Sequence, residues 1–194
     1  MIGKKNITGI ILAGGKSSRM KTDKGFIPLN NLLFIEHIIN AVRPLVNNII
    51  IVSNNSNYDE FGYKRINDLI KNAGPLAGIY TGLQYSKTDY NLVLSCDIPL
   101  INSSALELLL HSEYSDFDVI QLKSQNKTMP LIALYKKENA SAFKALLNKG
   151  EKRLQFAVNQ LKTKTIQVKP ELETCLQNIN TMEQLNELRH AVEH

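Results

Sequence analysis

The residues with the clearest capacity for chemistry lie near the amino terminus. In Leu12-Ala13-Gly14-Gly15-Lys16-Ser17-Ser18-Arg19-Met20-Lys21-Thr22-Asp23-Lys24, two glycines are followed by Lys16, Arg19 and Lys24. Glycines let backbone N–H groups approach phosphate oxygens closely, and the three cations can balance a triphosphate. The pattern is neither GxxxxGK followed by Ser or Thr nor GxGxxG, so it is not one of the commoner phosphate loops, and a nicotinamide dehydrogenase is disfavoured. A second candidate is Cys96-Asp97-Ile98-Pro99, where a carboxylate follows a buried apolar run. Such an aspartate can cap a turn, or it can hold a hard, oxygen-seeking cation beside nucleotide phosphates. A third is Gly74-Pro75-Leu76-Ala77-Gly78, preceded by Asp68. Proline at the second position suits the first turn of a helix.

These residues need elements to position them. Strand-like apolar runs are predicted at 7–13, 48–53, 90–95, 117–122 and 130–135, with weaker ones at 63–69, 165–168 and 176–179. Helical spacing marks 33–46, with Pro44 ending or kinking it, and 74–86. Further helices are expected up to Leu110 with Ser103 as N-cap, at 138–148 and 151–160, and after Thr181 with Leu185 and Leu188 facing inward. The polar stretch 123–128 reads as a loop. Strands alternating with helices imply an α/β protein whose mostly parallel sheet is covered on both faces. Such sheets bind ligands at the carboxyl ends of their strands. That rule selects 12–15, 53–55, Asp68, 95–97 and the segment 178–180.

Composition narrows the classes further. With 194 residues, 43% hydrophobic and 21% charged, the chain fits one globular domain spanning 1–194. No apolar run approaches the roughly 20 residues of a membrane span, and the first residues do not read as a secretory signal, so a cytoplasmic location is expected. Cys96 and Cys175 form no CxxC pair, and His37, His111, His190 and His194 show no metal-ligand spacing. The net charge is +5, but the lysines are scattered and there is no Trp, so a polyanionic small substrate is expected rather than nucleic acid.

The glycine segment resembles the signature LAGGxSxRMGxDK of the molybdenum cofactor guanylyltransferases. It matches at Leu12, Ala13, Gly14, Gly15, Ser17, Arg19, Met20, Asp23 and Lys24, and departs at Lys21. The 74–78 segment resembles the family's GPLAG, and Asn178-Ile179-Asn180-Thr181 resembles NxNTPEDL, with Met182 and Gln184 as departures. The resemblance runs from Ile7 to about Leu188. It implies a three-layer α/β/α domain of the Rossmann-like, nucleotide-diphospho-sugar-transferase type. It also implies that GMP passes from GTP to the terminal phosphate of molybdopterin, with release of pyrophosphate.

The implied site has Arg19, Lys24 and Asp97 as catalytic groups and Asp97 as the Mg²⁺ ligand. Leu12, Ala13, Gly14, Gly15, Lys24, Asn54, Asp68, Gly74 and Asp97 hold nucleotide, and Asn178 and Asn180 meet the second substrate. Asn55 beside Asn54 leaves that register open, and Asn-Thr before a helix is also ordinary capping chemistry. The backbone N–H groups of 13–15 are expected on the phosphates. Molybdoenzymes or their chaperones are the implied protein partners, with no nucleic acid or membrane. Two alternatives stay open: a cytidylyltransferase acting on molybdopterin or on a sugar or alcohol phosphate, and a GTP-binding assembly module without turnover.

Overall fold

The computed structural model describes residues 3–14, 22–111 and 115–192. After a 3-10 turn at Lys4–Asn6, β1 (Ile7–Leu12) leads to a 3-10 turn at Lys24–Phe26 and the short hairpin β2 (Pro28–Leu29) and β3 (Leu32–Leu33). There follow α1 (Phe34–Val42), β4 (Asn48–Val52), a 3-10 helix at Ser56–Phe61, β5 (Lys64–Ile66), α2 (Gly74–Tyr85) and β6 (Tyr90–Ser95). Then come α3 (Ser103–Leu110), β7 (Val119–Ser124), β8 (Lys127–Lys136), α4 (Asn139–Asn148) and α5 (Leu154–Val158). The chain continues through β9 (Thr163–Gln167), α6 (Pro170–Glu173), a 3-10 turn at Thr174–Leu176 and α7 (Met182–Val192).

Seven strands form one sheet in the order β5-β4-β1-β6-β8-β7-β9. All neighbouring pairs are parallel except those of β8, which runs antiparallel to β6 and to β7. Alternation along β1 explains why both faces need cover. Ile7 and Ile11 enter one core with α1 and α3, through Ile35, Ile38, Leu106 and Leu109. Ile10 enters the other with α2, α4 and α5, through Leu76, Ile79, Phe143 and Ala157. The expected three-layer α/β/α arrangement is therefore present. A third, smaller cluster of Ile27, Leu29, Phe34, Ile179, Leu185 and Leu188 seats α7 against the β2–β3 hairpin and the start of α1.

Several local expectations are corrected. Asn102, not Ser103, caps α3: its Oδ1 accepts the Ala105 N–H at 2.9 Å, and the Ser103 hydroxyl instead donates to the Ala41 carbonyl, tying α3 to α1. The stretch 176–179 is not a strand. Its backbone bonds are a local turn, Gln177 N–H to the Thr174 carbonyl at 3.3 Å, and Ile179 N–H to the Asp97 carbonyl at 2.7 Å, which form no ladder. The 123–128 loop shrinks to a two-residue turn, because Gln125 and Asn126 both adopt positive φ and let β7 and β8 pair to their ends. The β2–β3 hairpin and α6 are too short for hydrophobic period to reveal.

The packing of α2 on β1 depends on Gly82. A Cβ there would lie 2.5 Å from Ile10 Cγ2, a branch methyl that is fully buried and cannot swing away. We expect Gly82→Ala to cost about 1–3 kcal/mol, beyond its helix-propensity gain, by forcing the layers apart. Urea unfolding monitored by circular dichroism should show a lower midpoint with an unchanged slope.

Candidate active site

The site is assembled by strand register. Leu12 pairs with both Val52 and Ser95, so the carboxyl ends of β1, β4 and β6 lie side by side and the segments leaving them rise from one edge. Past β1, Ala13 continues the ladder: its N–H donates to the Val52 carbonyl at 3.0 Å. The expected role of that N–H on a phosphate is thus corrected, since the donor is already spent; among the described residues the loop's donors begin at Gly14. Gly14 has φ of 109°, and a Cβ would sit 3.1 Å from Ser53 Oγ, so only glycine suits this turn. Gly15 and Arg19, both expected in the site, lie outside the described residues, as do Lys16 and Lys21.

Asp23 anchors the 3-10 turn at Lys24–Phe26. Its Oδ1 accepts the Tyr58 hydroxyl at 2.5 Å and the Gly25 N–H at 3.3 Å, and its Oδ2 accepts the Asn55 side-chain amide at 3.0 Å. Tyr58 is fully buried. Burial, helped by the neighbouring Cys96 and Asp23, holds its phenol far above the ordinary range, so it stays a donor. A Cβ on Gly25 would collide with the Tyr58 hydroxyl at 2.1 Å, which is why glycine follows Lys24.

The turn thus fixed aims Lys24 inward. Its Nζ lies 3.4 Å from Asp97 Oδ2 and 2.5 Å from Asn180 Oδ1, with both Lys24 and Asp97 side chains mostly buried. Asp97 is held on every side. Ser95 Oγ donates to its Oδ1 at 2.5 Å, Asn178 Nδ2 donates to its Oδ2 at 3.1 Å, and its carbonyl takes the Ile179 N–H. Asn180 is itself oriented by Gln184, whose Oε1 accepts the Asn180 N–H at 2.7 Å, while the Gln184 N–H donates to Thr181 Oγ1 at 3.2 Å. The structure therefore brings Lys24, Asp97, Asn178 and Asn180 into one cluster.

A second pair stands at the end of β4. Asn54 and Asp68 bond reciprocally: Asn54 Nδ2 donates to Asp68 Oδ2 at 3.2 Å, and the Asp68 N–H donates to Asn54 Oδ1 at 3.1 Å. Of the two neighbouring asparagines, Asn54 is turned to Asp68 and Asn55 to Asp23. Asp68 Oδ1 is buried and has no hydrogen-bond partner among the described residues. Burial raises the Asp68 carboxyl above its usual value, while the Asn54 bond pulls it down. Gly78 makes room here, since a Cβ would meet Leu12 at 3.2 Å and Asp68 Oδ1 at 3.8 Å. Gly74 starts α2 with φ of 71°, a conformation that explains the residue type.

Beside the cluster opens a cleft of about 930 Å³, bordered by Ser95, Asn178, Asn180 and Gln184, by Pro75 of α2, and by Gln125 at the β7–β8 turn. Gln125 N–H is tied to Glu173 of α6 at 3.2 Å. Among the described residues no group of three or more His, Cys, Asp or Glu is placed to hold a metal. Asp97 is a single carboxylate whose neighbours are the Lys24 ammonium, the Ser95 hydroxyl and the Asn178 amide, and one carboxylate suits a cation that keeps waters and shares phosphate oxygens. Cys96 is buried, and burial first, then Asp23 and Asp97, pushes its thiol well up, so it is no nucleophile. His37 is structural, its Nε2 lying 2.9 Å from the Leu29 carbonyl.

Sequence reasoning selected Ser95 only as part of the strand end 95–97, did not assign Tyr58 or Gln184 to the site, and gave Asp23 no role beyond its motif. Only Ser95 carried a readable signal, being two residues before Asp97 at a strand end.

A mostly parallel, doubly covered sheet with a glycine turn, a lysine and an aspartate at its carboxyl edge defines a nucleotidyltransferase of the α/β type. The chain belongs to the MobA-like NTP transferase domain family, whose model matches residues 9–164. It is 36% identical, over 95% of its length and 97% of the relative's, to a protein of Flavobacterium johnsoniae named "Probable molybdenum cofactor guanylyltransferase". It is 31% identical to the molybdenum cofactor guanylyltransferase of Vibrio parahaemolyticus, over 91% of each chain. In fold it is similar to molybdopterin-guanine dinucleotide biosynthesis protein A from Archaeoglobus fulgidus, with a TM-score of 0.81 at 22% identity over 96% of this chain and 98% of that one.

Gln184 generates a prediction. Loss of one hydrogen bond of about 1 kcal/mol corresponds to roughly a fivefold change in rate. Gln184→Ala should lower kcat for pyrophosphate release by about that factor, while Gln184→Glu, whose carboxylate also accepts the Asn180 N–H, retains most of it. Equal kcat in both variants would remove Gln184 as a positioning residue.

Proposed function

We propose that this chain transfers GMP from GTP to the terminal phosphate of molybdopterin, releasing pyrophosphate, in a Mg²⁺-dependent reaction. The observation that carries the reading is the Lys24–Asp97 pair at the strand ends, flanked on one side by the Asn54–Asp68 pair and on the other by the cleft that contains Asn178 and Asn180. A nucleotide laid along the β1–β4 edge would put its phosphates at Lys24. An acceptor in the cleft would then reach the same point from the other side.

Chemically, an oxygen of the acceptor phosphate forms a bond to the α-phosphorus of GTP, and the bond from that phosphorus to the β-phosphate's bridging oxygen breaks. The acceptor oxygen is already ionised near neutral pH, so no protein base is required. Gly14 N–H and the loop after it receive phosphate oxygens. Lys24, with Arg19, balances charge gathering on the departing pyrophosphate. Asp97, fixed by Ser95 and Asn178, would hold Mg²⁺, which when bound neutralises phosphate charge and aligns donor and acceptor oxygens. Asn54 and Asp68 hold the nucleoside, and the carboxylate suits the N–H donors of a guanine edge. Asn178 and Asn180 orient the acceptor. Catalysis on this account is positioning and charge balance rather than proton transfer.

The test is pyrophosphate release from each of the four nucleoside triphosphates, with Mg²⁺ and molybdopterin. GTP should be strongly preferred, and a preference for CTP would overturn the guanine assignment. Lys24→Ala and Asp97→Ala should each lose about 10²–10³-fold in kcat, the scale of removing a group that stabilises developing charge. Near-normal turnover in a folded variant would remove that residue, and turnover undiminished by EDTA would remove Mg²⁺.

A further inference from the structure

At the opposite pole of the sheet lies a groove of about 690 Å³, at the amino ends of β1, β4 and β5 and the carboxyl ends of α1 and α2. Strands of five and six residues place it on the order of 20 Å from Asp97. Its lining includes Lys4, Arg43, Lys64 and Lys87 and no Asp or Glu. Among the described residues, none of these four side chains makes an ion pair or a hydrogen bond. Arg43 and Lys87 sit at or just past the ends of α1 and α2, where cations complement the helix dipole. That explanation does not reach Lys4, ahead of β1, or Lys64, on β5.

The rest of the lining indicates what such a charge would meet. Val46 and Ile49 give an apolar floor, and Tyr63 and Tyr85 border it. Tyr85 is 42% exposed, and Lys64 Nζ stands 5.3 Å from the centre of its ring. An apolar floor, an aromatic flank and several unpaired cations form a site for a flat ring carrying an anionic tail. The volume falls in the range of small-ligand sites rather than of protein interfaces.

We propose that this groove is a second ligand site, distinct from the active site, that binds a nucleoside triphosphate through its phosphates on Arg43, Lys64, Lys4 and Lys87 and its base against Tyr85. Bound there, the nucleotide takes no part in transfer.

Equilibrium dialysis with GTP, and separately with ATP, counts the sites. For at least one of the two, wild-type protein should bind an equivalent that survives Lys24→Ala and weakens at least tenfold in Arg43→Glu/Lys64→Glu. The charge-reversed variant should keep the catalytic rate at low nucleotide concentration. Its circular dichroism melting curve checks the fold, and Lys4→Ala/Lys87→Ala gives a milder version with the same sign. Tyr85→Ala should weaken nucleotide but not inorganic tripolyphosphate. The proposal is overturned if no equivalent depends on the groove cations for either nucleotide. It is equally overturned if a polyglutamate peptide alone binds there, which would make the groove a docking face for an acidic protein segment. Loss of transfer activity with this equivalent intact would instead count against the active-site reading alone.

Discussion

Lys24 and Asp97 are 73 residues apart in the chain, and Lys24 and Asn180 are 156 apart, yet one ammonium group gathers them. An aspartate this enclosed is costly unless its charge is met, and here the charge is met by a lysine, a hydroxyl and an amide. Each partner arrives on a different element: Lys24 on a 3-10 turn, Ser95 on β6, Asn178 on the segment before α7. The layers of the fold can therefore be understood as the means of delivering these groups to one point. If α7 did not dock through Leu185 and Leu188 onto the β2–β3 hairpin, the asparagines would have no fixed approach.

The orientation of Lys24 is set one step further out. Asp23, directly before Lys24, is a carboxylate that three donors from three places hold: the Gly25 backbone, Asn55 past β4, and the phenol of Tyr58. Tyr58 is packed against Phe26 and Phe61, which fixes the hydroxyl as firmly as a backbone group. Aspartate before lysine in the motif is thus a positional device. It converts a flexible side chain into one whose root cannot move, lowering the entropy lost when phosphates arrive.

Much of this architecture was legible in the sequence because burial writes itself as period. Runs such as Ile49-Ile50-Ile51-Val52 and Leu92-Val93-Leu94, buried on both faces, could only be central strands of a covered sheet. The strand-end rule then put Gly14, Asp68 and Asp97 on one edge. What escaped was set by tertiary geometry. Tyr58 looked like any aromatic in a polar stretch, and its function depends on a carboxylate 35 residues earlier. Ala13 was expected to offer its N–H because the motif included it, but the ladder runs one residue past the strand and uses it. Ser103 was expected to cap α3, but its hydroxyl reaches the Ala41 carbonyl and the cap falls to Asn102.

The distribution of charge was the least legible property, since Lys4, Arg43, Lys64 and Lys87 share no local pattern. Folding collects them because parallel strands send all their amino ends, and all the carboxyl ends of the crossover helices, to one pole. Such a pole is negative from helix dipoles, so some cations there are expected. Those at helix ends satisfy that demand locally. Lys4 and Lys64 add positive charge that no helix end requires, beside exposed aromatic surface. At the other pole Lys24 is treated differently: it is paired with Asp97 and Asn180. A cation already paired is preorganised for charge that develops during a reaction. A cation left unpaired has its full attraction available for charge that arrives already formed, as in binding. The same kind of residue is thus prepared for two tasks at the two ends of one sheet.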